Sequence, residues 1–200
     1  DHRSGAGRGA VSGNMTYILR LYDRLIAHGY REFSGARGSL WQWIRNHQIP
    51  NAGAGGALFA QFFEDHETPT NRTAWAPLNL ARYLLERRES LDGAWCGHAG
   101  ALIEFVRTTF THAEFGIRVC HEQDEDNQAW GGINSTYGSV LALYAKAAGS
   151  ATLATEAREA LNFTLYSIDP IGRPRDLASS PAPGAAARIE MLVDTGSFEE

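Results

Sequence analysis

Acidic and imidazole side chains are concentrated in two irregular segments of this 200-residue chain. The first segment supplies Asp65 and His66, and the second supplies His121, Asp124 and Asp126. Two carboxylates that flank a glycosidic bond act as general acid and as base or nucleophile in its hydrolysis. We therefore take these five residues as candidate catalytic groups, with Asp65 from the first segment and Asp124 or Asp126 from the second as the carboxylate pair.

Aromatic and polar side chains follow both segments and suit sugar binding, because flat rings offer stacking surfaces to a sugar ring. The candidate substrate-binding residues are Arg72, Trp75, Trp130, Asn134 and Tyr137. The same set permits proton abstraction next to a uronate carboxylate, with a histidine or tyrosine as base and an arginine or asparagine that neutralises the acid. The structural alternative is a solvated acidic loop with helix caps and hydrogen-bonding histidines.

The amino-acid composition and net charge of the chain argue against some classes of binding partner. Apolar residues make up 44% and charged residues 20%, which is typical of a globular chain. The net charge of −5 argues against a nucleic-acid partner, which requires a basic surface. No apolar run reaches the length of a membrane span. Our expected partners are a carbohydrate ligand and either a homo-oligomer or the remainder of a longer chain, and a secreted or periplasmic location is favoured over a cytoplasmic one.

Apolar residues at three- and four-residue steps predict six helices, which form three hairpins. The predicted helices cover residues 14–29, 34–47, 71–88, 96–109, 134–149 and 152–167. Pro50 is expected to end the second helix, and Gly29 and Gly149 are expected to end the first and fifth. Residues 115–120 predict a short strand, and residues 130–132 predict a turn.

The three hairpins share a sequence repeat. The pattern Asn-x-Thr occurs at residues 14–16, 71–73 and 134–136, at intervals of about sixty residues that are typical of repeat architectures. A leucine stands at the same later position in each copy, as Leu21, Leu78 and Leu141. We interpret the Asn and Thr as caps for the helix starts.

These patterns predict an all-α protein of stacked helical hairpins. The domain is expected to cover residues 14–176, after a lead-in at 1–13 and before a linker-like tail at 177–200. The predicted repeats are residues 14–70, 71–133 and 134–176.

Hairpins of this size, with a longer loop before each inner helix, resemble those of the (α/α) toroids. These include the six-hairpin glycosidases, toroidal polysaccharide lyases, uronyl epimerases and lanthipeptide cyclases. The resemblance is one of architecture, and it implies a partial toroid or open array with its site at the mouth formed by the inter-hairpin loops. It favours a glycoside hydrolase-like enzyme. A non-catalytic helical-repeat protein that binds through a concave face is the alternative.

A zinc site is a further alternative to our expectation of no cofactor and no metal. Trp95-Cys96-Gly97-His98 resembles a signature of the lanthipeptide cyclases, and Cys120-His121 resembles their adjacent zinc ligands. Two thiolates and an imidazole, from Cys96, Cys120 and His121, would leave the fourth position of a catalytic zinc open. The spacing is shorter than in that family, and His98 is displaced by one position.

Overall fold

A computed structural model of the chain describes residues 12–52, 72–114, 116–124 and 129–167. These residues are mostly helical, with one small two-stranded sheet, which confirms the all-α class. The chain divides into two compact units, Asp1–Phe105 and Val106–Glu200. The boundary falls inside the second predicted repeat.

All six predicted helices are present. In the first unit the helices are α1 (Ser12–Ala27), α2 (Ser34–Trp43), α3 (Ile49–Ala52), α4 (Trp75–Arg87) and α5 (Trp95–Thr109), of which α5 crosses into the second unit. The second unit contains β1 (Thr111–Glu114), β2 (Ile117–Cys120), α6 (Gly131–Ala148) and α7 (Ala151–Phe163). Short 3-10 turns cover Arg31–Phe33, Arg88–Ser90 and Thr164–Ser167. Among the residues described, no helix is both long and apolar enough to cross a bilayer.

Each unit buries the apolar face of its helices. In the first unit α4 is buried along most of its length, and Leu78 and Leu84 are almost fully enclosed. In the second unit α6 packs against α7, and α7 also contacts β2. The two helices approach closely at Gly138, where an added Cβ would lie 2.7 Å from Cγ of Leu161. Glycine is therefore required there for close packing.

A residue with a positive φ angle follows the first helix of each predicted hairpin. Gly29 and Gly149 have φ values of 97° and 66°, as their spacing in the repeat predicts. In the second copy, which lacks this glycine, Arg88 takes a φ of 49°. It is the one non-glycine residue with positive φ in the part of the chain described. Its Nε donates to the Leu85 carbonyl at 3.2 Å, and its guanidinium lies 5.5 Å from the ring centre of Trp95.

Pro50 does not end the second helix, contrary to our prediction. The chain passes from α2 into a π-helical segment, Ile44–Gln48, and continues as α3 through Pro50 to Ala52. The Ile49 amide bonds the Ile44 carbonyl, five residues back. In a regular α-helix a proline ring clashes with the carbonyl four residues earlier, and the wider turn just before Pro50 changes that spacing.

The predicted capping role of Asn-x-Thr is wrong in two of the three copies. Residues 14–16 lie within α1 and residues 134–136 lie within α6, so neither triplet starts its helix. In the second copy Thr73 does act at a helix start, since its Oγ1 accepts from the Trp75 amide at 3.2 Å. The predicted turn at 130–132 is also wrong, because α6 begins at Gly131 with Trp130 as its N-cap residue.

The predicted strand is confirmed as β2, but its partner β1 is absent from the sequence prediction. The strands are antiparallel, with His112 opposite Val119 and Glu114 opposite Ile117. Gly116 has a φ of 79° in the connection between them. The tail and most of the lead-in and of the first inter-hairpin segment lie outside the described residues. The last two residues of the predicted lead-in, 12 and 13, belong to α1.

Candidate functional site

The β1–β2 hairpin positions the start of the second predicted catalytic segment. His121 follows β2 directly, and its amide donates to the Phe110 carbonyl at 2.9 Å. An isolated antiparallel bridge pairs His121 with Ala129. The two ends of the segment 122–128 are therefore held next to each other, beside the start of α6.

Two histidines and a glutamate meet at this hairpin. The ring centres of His112 and His121 are 5.7 Å apart, with 36° between the ring planes. His112 Nε2 lies 3.4 Å from Glu114 Oε2, and both side chains are more than a third exposed. The Phe110 ring meets His121 edge-on at 5.6 Å between centres. We call His112, Glu114 and His121 the histidine cluster.

The histidine cluster has the composition of an acid–base site. Imidazole changes charge near neutral pH and can both donate and accept a proton. The Glu114 carboxylate beside His112 restricts the orientation of its ring. His121 was predicted from the sequence, whereas His112 and Glu114 were missed. Alternation along Thr111–Glu114 was the available signal, since it places these two residues on the same face of a strand.

The described residues on either side of the bridge include two further acids and a tryptophan. Glu122 is half-buried and Asp124 is exposed. Trp130, also half-buried, follows Ala129 of the bridge. Among the described residues Asp124 is the one predicted catalytic carboxylate, and it follows His121 by three positions in the sequence. Asp126 lies outside the described residues.

Asn134 holds the backbone next to the histidine cluster. Its Oδ1 accepts from the Cys120 amide, and its Nδ2 donates to the carbonyls of Cys120 and Trp130, each at 2.8 Å. The residue is fully buried. Its amide therefore ties the end of β2 to the start of α6, and it positions the neighbours of His121 and of Ala129.

Tyr137 lies in a buried ion-pair network within the second unit. Its hydroxyl donates to Glu156 Oε1, and Arg107 grips the same carboxylate with Nε at 3.0 Å and Nη2 at 2.8 Å. Arg118 Nε lies 3.5 Å from Glu156 Oε1. Burial, together with the neighbouring Glu156 carboxylate, raises the pKa of Tyr137 above its ordinary value. The phenol therefore stays protonated at neutral pH and serves as a hydrogen-bond donor.

The Glu156 carboxylate remains ionised despite its burial. Burial alone would raise its pKa, but the hydrogen bonds from Arg107 and Tyr137 and the nearby arginine charges outweigh that effect and lower it. We call Tyr137, Glu156, Arg107 and Arg118 the Glu156 cluster.

The first unit contains the other predicted substrate-binding residues. Arg72 and Trp75 are half-buried around the start of α4. Asp65 and His66 lie outside the described residues, so the predicted pairing of Asp65 with Asp124 stays a prediction.

The cysteines are reduced thiols in the structure. Cys96 is half-buried in α5, and Cys120 is buried in β2 with Sγ 3.4 Å from the His121 carbonyl. Burial raises the pKa of the Cys120 thiol well above its ordinary value. Of the residues described, no three His, Cys, Asp or Glu side chains are grouped to hold a metal ion. His98 instead contacts Asp92, with Nδ1 2.7 Å from Oδ2.

Comparisons of the chain with protein-family models, with curated proteins and with solved structures find no match.

Proposed function

We propose that this chain is a carbohydrate-active enzyme of the glycoside hydrolase type, with its site at the β1–β2 hairpin and the start of α6. The observation that carries the proposal is the histidine cluster, in which His112 and His121 lie 5.7 Å apart between ring centres. It adds titratable groups to the segment that the sequence pattern had already singled out for its acids and its tryptophan.

The proposed chemistry divides the work between carboxylates and imidazoles. Asp124 is exposed and acts as one carboxylate of the pair. His112, oriented by Glu114, exchanges protons with the leaving oxygen or with the attacking water. Trp130 offers its ring to a sugar. Asn134 is a positioning residue, since it holds the backbone on both sides of the segment.

The end of α6 at which the site lies supports the same proposal. The positive end of this 18-residue helix begins at Gly131, immediately after Trp130, and favours anionic or electron-rich groups nearby. In the proposed architecture the hairpins stack as a partial toroid or open array, which brings the loops before the inner helices to one mouth.

A polysaccharide lyase or uronyl epimerase is the second candidate, and the imidazole pair is the observation that favours it. Proton abstraction beside a uronate carboxylate requires an unprotonated base, and it is most efficient when the pKa of that base is near the working pH. Histidine meets that requirement, whereas an ionised carboxylate is a weaker base.

A panel of neutral and acidic polysaccharides tests both candidates with the full chain. New reducing ends without unsaturated products indicate hydrolysis, and absorbance of unsaturated uronate indicates elimination. We expect Asp124→Asn and His112→Gln each to lower kcat by roughly 10²-fold or more, because acid–base groups contribute about 10²–10⁴-fold. His28→Gln is the matched control, since His28 is exposed and lies in the first unit.

Two results would contradict the proposal. One is that no polysaccharide of the panel is cleaved or epimerised. The other is that Asp124→Asn and His112→Gln keep full activity. If sugar binding is retained in the absence of turnover, a non-catalytic binding protein replaces the enzyme as the favoured function.

A further inference from the structure

A buried carboxylate and a partly exposed imidazole form a close pair in the first unit. His98 Nδ1 lies 2.7 Å from Asp92 Oδ2, and the exposed fractions of the two side chains are 29% and 1%. The other oxygen, Asp92 Oδ1, accepts from the Ala94 amide at 3.0 Å, so the carboxylate is held through both of its oxygens. We call these two residues the Asp92–His98 pair. Neither of them belongs to the histidine cluster.

The charge of Asp92 decides which nitrogen of the His98 ring carries the proton. Burial alone would raise the pKa of Asp92, but the Ala94 amide, His98 and the nearby Arg45 charge outweigh that effect and lower it. An ionised carboxylate only accepts hydrogen bonds, so Nδ1 of His98 is the donor. The lone pair of the neutral ring therefore lies on Nε2.

His98 Nε2 is accessible from solvent. It has no hydrogen-bond partner in the described part of the chain, and it is not a buried atom. The surface beside it on α5 is open, since a Cβ at the preceding residue, Gly97, would meet nothing within 4 Å. One nitrogen of this imidazole is thus held by a buried carboxylate while the other is free to react, which is the arrangement of an oriented nucleophile.

Positive charge lies beside this imidazole. Arg45 Nε is 3.7 Å from Asp92 Oδ2, the oxygen that also contacts His98, and the Arg45 side chain is 44% exposed. Arg45 makes no other ion pair among the described residues. His98 also lies in the first turn of α5, a 15-residue helix whose N-terminus carries partial positive charge. Because a guanidinium group matches the oxygens of a phosphoryl group, these surroundings favour an electrophile with anionic oxygens.

We propose that His98 is a phosphoryl-accepting histidine, which takes a phosphoryl group on Nε2 from a phosphoramidate, a donor whose phosphorus is bonded to nitrogen. The Nε2 lone pair forms a bond to phosphorus as the nitrogen–phosphorus bond of the donor breaks. The donor nitrogen leaves as an amine, or as ammonia, with the protons that it already carries. Nδ1 keeps its proton towards Asp92, and Arg45 binds oxygens of the transferred group. Asp92 is a positioning residue, since it acts only through the ring.

The test incubates the full chain with phosphoramidate near neutral pH and follows the phosphorylation of each of its seven histidines by mass spectrometry. We expect His98 to react about tenfold faster than His28 or more. His28 is the internal reference, because it is exposed and makes no ion pair with any residue that the structure describes. Phosphorus NMR identifies the nitrogen that carries the group, and we expect Nε2. A His98 that reacts no faster than His28, or that carries the group on Nδ1, would overturn the proposal.

Asp92→Asn tests the role of the carboxylate. The amide has nearly the size of the carboxylate but no charge, so it orients the His98 ring less firmly. We expect the labelling of His98 to slow by about tenfold while that of His28 is unchanged. Asp23→Asn is the matched control, since Asp23 is also a largely buried carboxylate of the first unit that pairs with an arginine. An Asp92→Asn chain that labels His98 at the wild-type rate would contradict the proposal.

Arg45→Gln tests the guanidinium group at an exposed position. We expect the labelling of His98 to slow by about tenfold, with part of the rate restored in Arg45→Lys, which keeps the charge but not the planar fork. Arg24→Gln is the matched control, because Arg24 is an exposed arginine of α1 without an ion pair in the described ranges. Circular dichroism confirms that each variant is folded. Equal labelling of His98 in the wild type and in Arg45→Gln would count against the proposal.

Discussion

Both units bury a tyrosine hydroxyl against a carboxylate that arginine neutralises, but they build this arrangement differently. In the first unit the Tyr83 hydroxyl donates to Asp23 Oδ2 at 2.6 Å and accepts from Arg37 Nη2 at 2.7 Å. In the second unit the Tyr137 hydroxyl donates to Glu156, which Arg107 holds with two nitrogens. Tyr83 thus bonds both members of an ion pair, Asp23 and Arg37, whereas Tyr137 bonds the carboxylate of its pair.

The surroundings of the two tyrosines differ as well. Arg37 Nε contacts Asp23 Oδ1 and Arg87 Nη2 contacts Asp23 Oδ2, each at 3.0 Å. The guanidinium carbons of Arg20 and Arg87 lie 5.5 and 5.8 Å from the Tyr83 ring centre. We call Tyr83, Asp23, Arg37 and Arg87 the Asp23 cluster. Two arginine guanidinium groups therefore lie over the ring of the first tyrosine.

The two clusters do not occupy corresponding positions in the sequence repeat. Tyr137 directly follows the Thr of its Asn-x-Thr pattern, whereas Tyr83 comes ten positions after Thr73, near the end of α4. Each buried hydroxyl is nevertheless hydrogen-bonded, because an unpaired buried polar group lowers the stability of the fold. Both tyrosines are committed to structure, which leaves the histidine cluster as the acid–base candidate.

Removal of the central carboxylate should break the two clusters to different extents. Glu156→Gln leaves Arg107 without its buried counter-charge, and we expect a loss of about 3–5 kcal/mol in the free energy of unfolding. Asp23→Asn should cost less, about 1–3 kcal/mol, because Arg37 keeps its bond to Tyr83. Urea unfolding at pH 7 measures both. Equal losses would contradict the proposed difference between the clusters.

The same substitution has a pH signature. The folded-state pKa of Glu156 is lowered, so its contribution to stability is present above the ordinary glutamate pKa and is lost as the pH falls through the folded value. Glu156→Gln should therefore reduce the loss of stability on acidification below about pH 4.5, near the ordinary glutamate pKa. A variant with the acid sensitivity of the wild type would show that other carboxylates control acid unfolding.

Gly138→Ala should loosen the helix pair that carries the Glu156 cluster. The new Cβ would meet Leu161 Cγ at 2.7 Å and the Ala157 carbonyl oxygen at 3.0 Å, so α6 and α7 must separate. We expect a cost of about 1–3 kcal/mol. Gly97→Ala is the matched control, because a Cβ there meets nothing within 4 Å and alanine favours a helix by about 1 kcal/mol. Thermal unfolding of both variants gives opposite shifts in Tm, and a neutral Gly138→Ala would contradict the close approach.

Tyr83→Phe should have the smallest effect on the free energy of unfolding. It should also change how the stability of the protein depends on alkaline pH. Burial and the hydrogen bond to Asp23 raise the pKa of Tyr83 to about 12. Its contribution is therefore present below pH 10, the ordinary tyrosine value, and is lost as the pH rises through the folded pKa of about 12. We expect a cost of about 1 kcal/mol at pH 7 and a weaker decline of Tm at alkaline pH than in the wild type. An unchanged alkaline decline would assign it to other groups.

Local patterns predicted the helices well, because each element depends on its own periodicity and end residues. Gly29 and Gly149 end their helices as the sequence indicates, and the boundaries of α5 are within one residue of the prediction. Pro50 shows the limit of such rules, since the preceding π-helical turn accommodates it. Strand β1 has only four residues, so its alternation is a weak signal, and His112 and Glu114 were missed with it.

The buried hydrogen-bond networks of the second unit join residues that are distant in sequence. Arg107 and Glu156 are far apart in sequence, as are Asn134 and Cys120, and neither pair has a local signature. Asn134 was interpreted as a cap because asparagine favours helix starts, but its buried bonds to Cys120 and Trp130 place it inside α6. A buried polar residue reveals its role only when its partners are known.

The bridge between His121 and Ala129 separates the scaffold from the segment 122–128 that it encloses. Because Asn134 also holds Cys120 and Trp130 just outside that bridge, the ends of the segment are fixed independently of what lies between them. Doubling the length of a loop with fixed ends costs only about 0.6 kcal/mol in closure entropy. Substitutions and insertions between these two ends are therefore expected to change the stability of the second unit little.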